Sequence, residues 1–369
     1  MRAQLIWLIL LFLTQAPLPC LAAPQLFQDQ VEKDLVLKRA LPIYVNHRLG
    51  DVSIQGWVQD RIRVTLKYRG WTETEALART EFAKLALVTF EGRDQFEIRV
   101  GHPQGVDLVT KMRDRARSSI HVDLEIKAPY QSALALVLGE GQKLELEHWR
   151  GPVSLTGKNS QLEFSRLDLA RELTLSCIPC QVDIRDSSLK GRLVVGSKPV
   201  QISQVKTSGL SIDAGNEEVR VERSEGRISV HTKGGRLNVN RFKGKVEFQS
   251  EDGAAFLNQL SGTAEVQTQS GQIMLDLDEV NGPVHLDTER SDIQVSLQPH
   301  FEGAIDLLSL RGEVIVQFPY EALKTGGSER YGPVSPGRVN GMIGNRTSPL
   351  IHAFSKQGGV RLIRKAPAR

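Results

Sequence analysis

From Gly226 onward the chain alternates apolar and polar residues in short, glycine-punctuated phrases: GRISVHTKG, GRLNVNRFK, GKVEFQSED, GAAFLNQLS, GTAEVQTQS, GQIMLDLDEVN and GPVHLDTER. Glycine or another small residue recurs about every nine residues, and the second and fourth positions after it are apolar. Side chains on a strand alternate faces, so Ile228 and Val230, Leu237 and Val239, and Val246 and Phe248 fall on one side. Arg, Ser, Asn, Glu and Gln fall on the other. A nine-residue strand cannot bury its apolar side alone, whereas stacked copies can. The pattern predicts an all-β, β-helix-like solenoid.

Rungs in this register begin at 151, 160, 171, 180, 191, 200, 208, 217, 226, 235, 244, 253, 262, 271, 282, 291, 303 and 312. The longer intervals, 160 to 171, 180 to 191, 271 to 282 and 291 to 303, all share one parity. One tight and one roomier corner per coil would produce that, so the expectation is two strands per coil. A coil then takes about nineteen residues and rises roughly 4.8 Å. Residues of equal offset stack, which places Gln161, Gln181 and Gln201 in one column, Asn240 over Asn258, and Gln249 over Gln267. Amide columns of this kind hydrogen-bond along the stack and explain a polar face without a ligand.

The opening section reads differently. Arg2 precedes an apolar run, Leu5 to Leu13, then Pro17, Pro19 and a small-residue site at Cys20-Leu21-Ala22. This predicts a secretory signal peptide over 1–22. Lipid attachment at Cys20 is the rival, disfavoured by Pro19 at a position where a lipoprotein signal needs a small residue. No later stretch has the ~20 apolar residues of a membrane span. The mature chain is therefore expected to be exported, to the periplasm or the cell surface, without a transmembrane segment. Residues 23–130 predict a β-rich section with one short helix near 72–84, where Thr72 and Glu75 suggest a capping box and Leu77, Ala78, Phe82 and Leu85 an apolar face. Strands are predicted at 86–90, 95–100 and 120–127, and the solenoid with its Gly-rich loop and closing strand occupies 131–369. Lys111, Arg113, Arg115 and Arg117 form a basic run, read as a solvated loop in preference to a contact for a polyanion or an anionic envelope surface.

A net charge of +4 gives no case for nucleic acid. Cys177 and Cys180 lie at a rung corner with no cationic neighbour to activate a thiol, so a structural corner is expected in preference to a redox pair, stapled by a disulfide if export is to an oxidising compartment. Nucleophile elbows, zincin motifs and phosphate loops are missing, and no cofactor or metal is called for. Asp276-Leu-Asp278 and Asp287-Thr-Glu289 hint at cation ligands but lack an EF-hand's glycine and terminal glutamate.

The order of an early Gly-Asp-Val-Ser-Ile strand (Gly50 to Ile54), one helix, VDLEIKAP (Val122 to Pro129), the ladder, GEVIVQFP (Gly312 to Pro319) and GGVRLIRK (Gly358 to Lys365) resembles a bacterial family of candidate adhesins. The resemblance implies an exported β-helix-like domain of largely undefined function and supplies no catalytic residue. The function expected is a non-enzymatic envelope scaffold or adhesin-like module that presents β faces to a glycan or protein. The alternative is a polysaccharide lyase or hydrolase built on a β-helix. One ligand strip is named: Glu247, Glu265, His285 and Asp306 on successive coils, with Asp287 beside His285. Lys245 is the base expected to offset the two glutamates.

Overall fold

The computed structural model describes residues 25–37, 39, 41–101, 120–322 and 337–366, and in it the predicted rungs are strands of one 27-stranded sheet that winds into a solenoid. The segments 1–22 and 111–117 fall outside the described residues, as does part of the Gly-rich loop. Successive coils pair in parallel at steps of 18 to 20 residues, as in Ile228↔Val246 and Val153↔Leu173. Side A of the coil carries Val153–Lys158, Asp168–Cys177 and their successors, and side B carries Gln161–Ser165, Gln181–Arg185 and theirs. About nine coils run in chain order from Leu134 to Leu297. The second and fourth positions of each rung are buried throughout, from Leu162 and Phe164 to Ile293 and Val295. Each large side chain contributes roughly 1.5–3 kcal/mol of gross burial.

A short third side, which the nine-residue period does not reveal, joins B back to A. Where B ends, a non-glycine residue takes a left-handed conformation: His148 (φ 53), Arg166 (φ 54), Asp186 (φ 49), Gln204 (φ 56), Arg223 (φ 48), Arg241 (φ 58) and Gln259 (φ 54). That conformation is unfavourable for L-residues, yet it aims the next side chain inward. Trp149, Leu167, Val205, Phe242 and Leu260 fill the resulting column. Ser187 and Ser224 occupy it too, and each hydroxyl accepts a backbone N–H from the preceding coil and donates to a carbonyl two residues earlier.

The A-to-B corner uses a different device. Ser250, Thr268, Ser309 and Ser355 each accept the backbone N–H of a glycine three residues on, at 2.8 to 3.0 Å. Ser250 also donates to the Lys233 carbonyl of the coil before it, and Thr268 to that of Gly253. The corner hydroxyl thus satisfies its own turn and stitches it to the neighbouring one.

Both ends depart from chain order. Ile43–His47 and Val52–Trp57 form a coil lying between the pair Phe96–Gly101/Ile120–Pro129 and the pair Leu134–Glu140/Lys143–Glu147. The hydrogen-bonded ladder is therefore continuous across residue 130. At the other end, Leu350–Ser355 and Val360–Arg364 insert between Ile273–Thr288/Ile293–Leu297 and Gly303–Ser309/Val314–Val316. The rungs at 303 and 312 therefore do not stack on those at 282 and 291 as expected. Equal rungs are interchangeable, so a periodic pattern cannot tell which one docks next. Gln201 is also displaced: Gln161 pairs with Gln181, but Gln201 lies beside Asp183. The columns Asn240–Asn258 and Gln249–Gln267 are as expected.

Antiparallel strands extend the N-terminal end. Arg61–Thr72 and then Gln25–Val36 continue side B, and Ala86–Glu91 continues side A. The helix α1, Glu75–Ala83, is capped by Thr74, which accepts the Leu77 N–H, rather than by Thr72. It buries Ala78 and Phe82, the latter against Tyr68 at 5.3 Å between ring centroids, whereas Leu77 is exposed.

Two outcomes follow from this packing. Gly244 has φ 134, and a Cβ there would lie 2.0 Å from the Gly226 carbonyl oxygen. Gly244→Val should destabilise the domain by roughly 3 kcal/mol or more. Gln249→Val, on the exposed face of the same rung, should stay within about 0.5 kcal/mol. Chemical denaturation of the two variants checks this, and equal midpoints would refute it.

His47 is fully buried, its Nε2–H donates to the Val122 carbonyl at 2.7 Å, and Nδ1 has no partner among the described residues. Burial pushes its pKa down to about 4 from 6.5. The unfolded chain therefore binds a proton that the fold refuses, and stability is complete above pH 6.5 and declines as pH falls towards 4. The loss reaches about 3 kcal/mol. His47→Phe should flatten the stability profile between those pH values, whereas parallel profiles would acquit His47.

Candidate functional site

Parallel stacking aligns like with like, so charged columns must find counter-charges within the ladder. Glu247 does lie directly beside Glu265, and Glu265 beside His285. Lys245 Nζ sits 2.6 Å from Glu247 and 3.3 Å from Glu265, and so bridges the two carboxylates. Its hydrogen bond holds the Glu247 carboxyl below the usual range, and the glutamates in turn raise the Lys245 pKa.

Beyond His285 the column differs from the expected order. The neighbour is His352 on the inserted strand Leu350–Ser355, and Asp306 follows only after it. The two imidazoles stand 5.9 Å apart between centroids. His352 Nδ1 is 3.4 Å from Asp306 and Nε2 is 3.8 Å from Asp287, so Asp287 does join this cluster. Arg338, on the antiparallel strand Gly337–Ile343, makes a two-pronged contact with Asp306 at 2.8 Å for each bond. That guanidinium holds the Asp306 carboxyl well below its ordinary pKa. Glu247 and Glu265 thus form one ion-paired group, and His285, Asp287 and Asp306 a second built around His352. Among the described residues, no three His, Cys, Asp or Glu side chains converge closely enough to hold a metal ion.

The Asp276 and Asp278 pair does receive a cation, and it is internal. Lys365, just past the closing strand Val360–Arg364, contacts Asp276 and lies 2.8 Å from Asp278, which Gln298 also bonds at 3.1 Å. The ammonium is largely buried, which disfavours its charge, but the two carboxylates outweigh this and raise its pKa. Cys177 and Cys180 are wholly buried and disulfide-bonded at their corner, with Cα atoms 5.4 Å apart.

One surface feature lay outside the sequence reading. On the third side, a shallow open groove of about 640 Å³ is floored by Leu169 and Leu189 and edged by Lys190, Lys206 and Lys243. Lys206, Glu225 and Lys243 stack on successive coils, and Glu225 pairs with Lys206 at 3.0 Å. The available signal was a Lys-Glu-Lys recurrence at spacings of 19 and 18 residues, which strand periodicity passes over.

The model of the family described as Toastrack DUF4097 matches residues 116–335. No curated protein matches the chain. Solved structures with similarity include a candidate cell adhesion protein from Clostridium sporogenes, at 9% identity, covering 92% of this chain and 100% of that one, with a TM-score of 0.21. A candidate adhesin from Bacteroides fragilis is 10% identical over 91% of this chain and 97% of its own, with a TM-score of 0.28. A candidate lipid-binding protein from Parabacteroides distasonis is 10% identical over 91% and 96%, with a TM-score of 0.26.

The Lys365 contact has a measurable consequence. Lys365→Met should leave two adjacent carboxylates without their cation and cost roughly 1–3 kcal/mol. Hydrogen exchange should accelerate in 350–364 and 304–316 before it does in 153–240. Uniform protection in wild type and variant would show that the contact does not secure the inserted coil.

Proposed function

The chain belongs to the Toastrack DUF4097 family, and from that premise we propose that it is a non-enzymatic scaffold of the cell envelope that binds an acidic glycan along its third side. The observation carrying this reading is the groove edged by Lys190, Lys206 and Lys243. Lys206 and Lys243 are two coils apart, about 10 Å along the axis. Lys206 and Lys243 offer two ammonium groups to the carboxylates of a linear polymer, with Glu225 between them paired to Lys206. Export to the envelope is supported by the Leu5 to Leu13 run after Arg2 and by the buried Cys177–Cys180 bond, which suits an oxidising compartment.

The glycan-cleaving alternative draws less support from the same residues. A general acid in a glycosidase needs a raised carboxyl pKa. Glu247 and Asp306 are displaced the other way, and each is held by a cationic partner. Calorimetry or surface binding with a linear polyuronate and a neutral glucan tests the proposal. Polyuronate binding that weakens with salt, and that drops at least about tenfold in Lys190→Glu/Lys243→Glu, is the expected outcome. Equal binding to the neutral glucan, or no loss in the variant, would overturn it. Chain shortening of either polymer would return the enzymatic reading.

A further inference from the structure

The strand Gln25–Val36 is the outermost strand of side B, and among the described residues it pairs on one edge alone, with Arg61–Thr72. Alternate residues of its twelve turn their backbone donors and acceptors to the other edge, where they have no strand partner among the described residues. Long open edges usually carry charges that deter pairing. This one carries Asp29, Glu32, Lys33 and Asp34, but their order matters more than their number.

Alternation assigns Phe27, Asp29, Val31, Lys33 and Leu35 to one face of the strand. In register, they lie beside Gly70 and beside Tyr68, Leu66, Val64 and Ile62, whose side chains belong to the core. Phe27 and Leu35 pack partly against that core, and Val31 is 48% exposed. Written backwards, the face Phe-Asp-Val-Lys-Leu becomes Leu-Lys-Val-Asp-Phe. Set antiparallel to itself with Val31 opposite Val31, it brings Asp29 opposite Lys33 and Phe27 opposite Leu35, each twice. The other face follows the same axis: Leu26 meets Val36, and both are exposed. Gln28 meets Asp34, and Gln30 meets Glu32.

The intrachain ion pairs single out the same two residues. Glu32 and Asp34 are already engaged by Arg63, and Asp34 also by Arg61, at 2.8 to 3.3 Å. Asp29 and Lys33 form no ion pair among the described residues, and these are the two charges that would meet across the axis. An isologous contact requires a patch complementary to itself under twofold rotation. Few arrangements of two apolar ends, one apolar centre and one opposite-charge pair meet that condition.

From this we propose that two copies of the chain associate through Gln25–Val36, antiparallel about a twofold axis at Val31, joining their side-B sheets into one. The occupant of the edge is a second copy, recognised by backbone hydrogen bonds and by reciprocal Asp29–Lys33 and Phe27–Leu35 contacts. The dimer would place two glycan-binding sides in one particle, but its existence does not depend on that reading.

Sedimentation velocity of the purified protein over a concentration series tests the association. Wild type should dimerise, and Asp29→Lys or Lys33→Asp should each weaken the dimer at least about tenfold by setting like charges opposite one another. Asp29→Lys/Lys33→Asp should restore it, because the swapped pair is again complementary. A second measurement fixes the register: under mild oxidation Val31→Cys should form a covalent dimer, and Gln30→Cys should not. A monomer at all concentrations, a dimer indifferent to the single reversals, a failure of the double reversal to restore association, or equal cross-linking of the two cysteine variants would each overturn the proposal.

Discussion

Each coil hydrogen-bonds to the next along the solenoid axis, and the spacing of those bonds governs nearly everything else. Strands in register stand about 4.8 Å apart, so the corners must approach as closely as the strands do. A Cβ at Gly244 would lie 2.0 Å from the Gly226 carbonyl oxygen, and one at Gly262 would lie 2.0 Å from that of Gly244. Glycine recurs there because no other residue leaves room for the coil beside it. The hydroxyls of Ser250, Thr268, Ser309 and Ser355 answer the companion problem, that turning the chain strands backbone N–H groups inside.

The same spacing creates an electrostatic difficulty and determines how it is met. Parallel register puts Glu247 beside Glu265, and alternation along the strand Ile273–Thr288 sets Asp276 and Asp278 on one face. Each pair holds an ammonium of the chain itself: Lys245 from the same rung, and Lys365 from just past the closing strand. Asp306 is matched by Arg338 and His352. Two of these partners, Lys365 and His352, sit on or just after the inserted C-terminal strands, so the contacts that neutralise the columns also hold that coil in place.

Insertion out of chain order leaves the coil Ile43–His47/Val52–Trp57 at one end, and Leu350–Ser355/Val360–Arg364 at the other, inside the stack rather than at its rim. Gly303–Ser309 is paired on one edge with Leu350–Ser355 and on the other with Gly337–Ile343. At the opposite end, antiparallel strands continue sides A and B, and α1 covers part of the core that the final coil would expose. Open sheet edges invite pairing with other chains. The long edge strand Gln25–Val36 is where that tendency becomes a specific self-complementary pattern.

What the residues determine by themselves is local and periodic. The alternation of Ile228, Val230, Leu237 and Val239, the glycines at the corners, the coil of about nineteen residues, and the columns Asn240–Asn258 and Glu247–Glu265 all follow from offsets within one rung, and the helix Glu75–Ala83 from its own local cap and apolar spacing. Side-chain direction and hydrogen-bond spacing depend on nearest neighbours, so they can be read from nearest neighbours. The tertiary structure alone decided which coil lies beside which. It placed His352 between His285 and Asp306, brought Lys365 to Asp276 and Asp278, and turned Arg223 and Arg241 into left-handed corners that create the third side and its lysine groove. A coil fits equally well against any neighbour of the same pitch. The choice among neighbours therefore rests on contacts between residues tens of positions apart, which no repeating pattern contains.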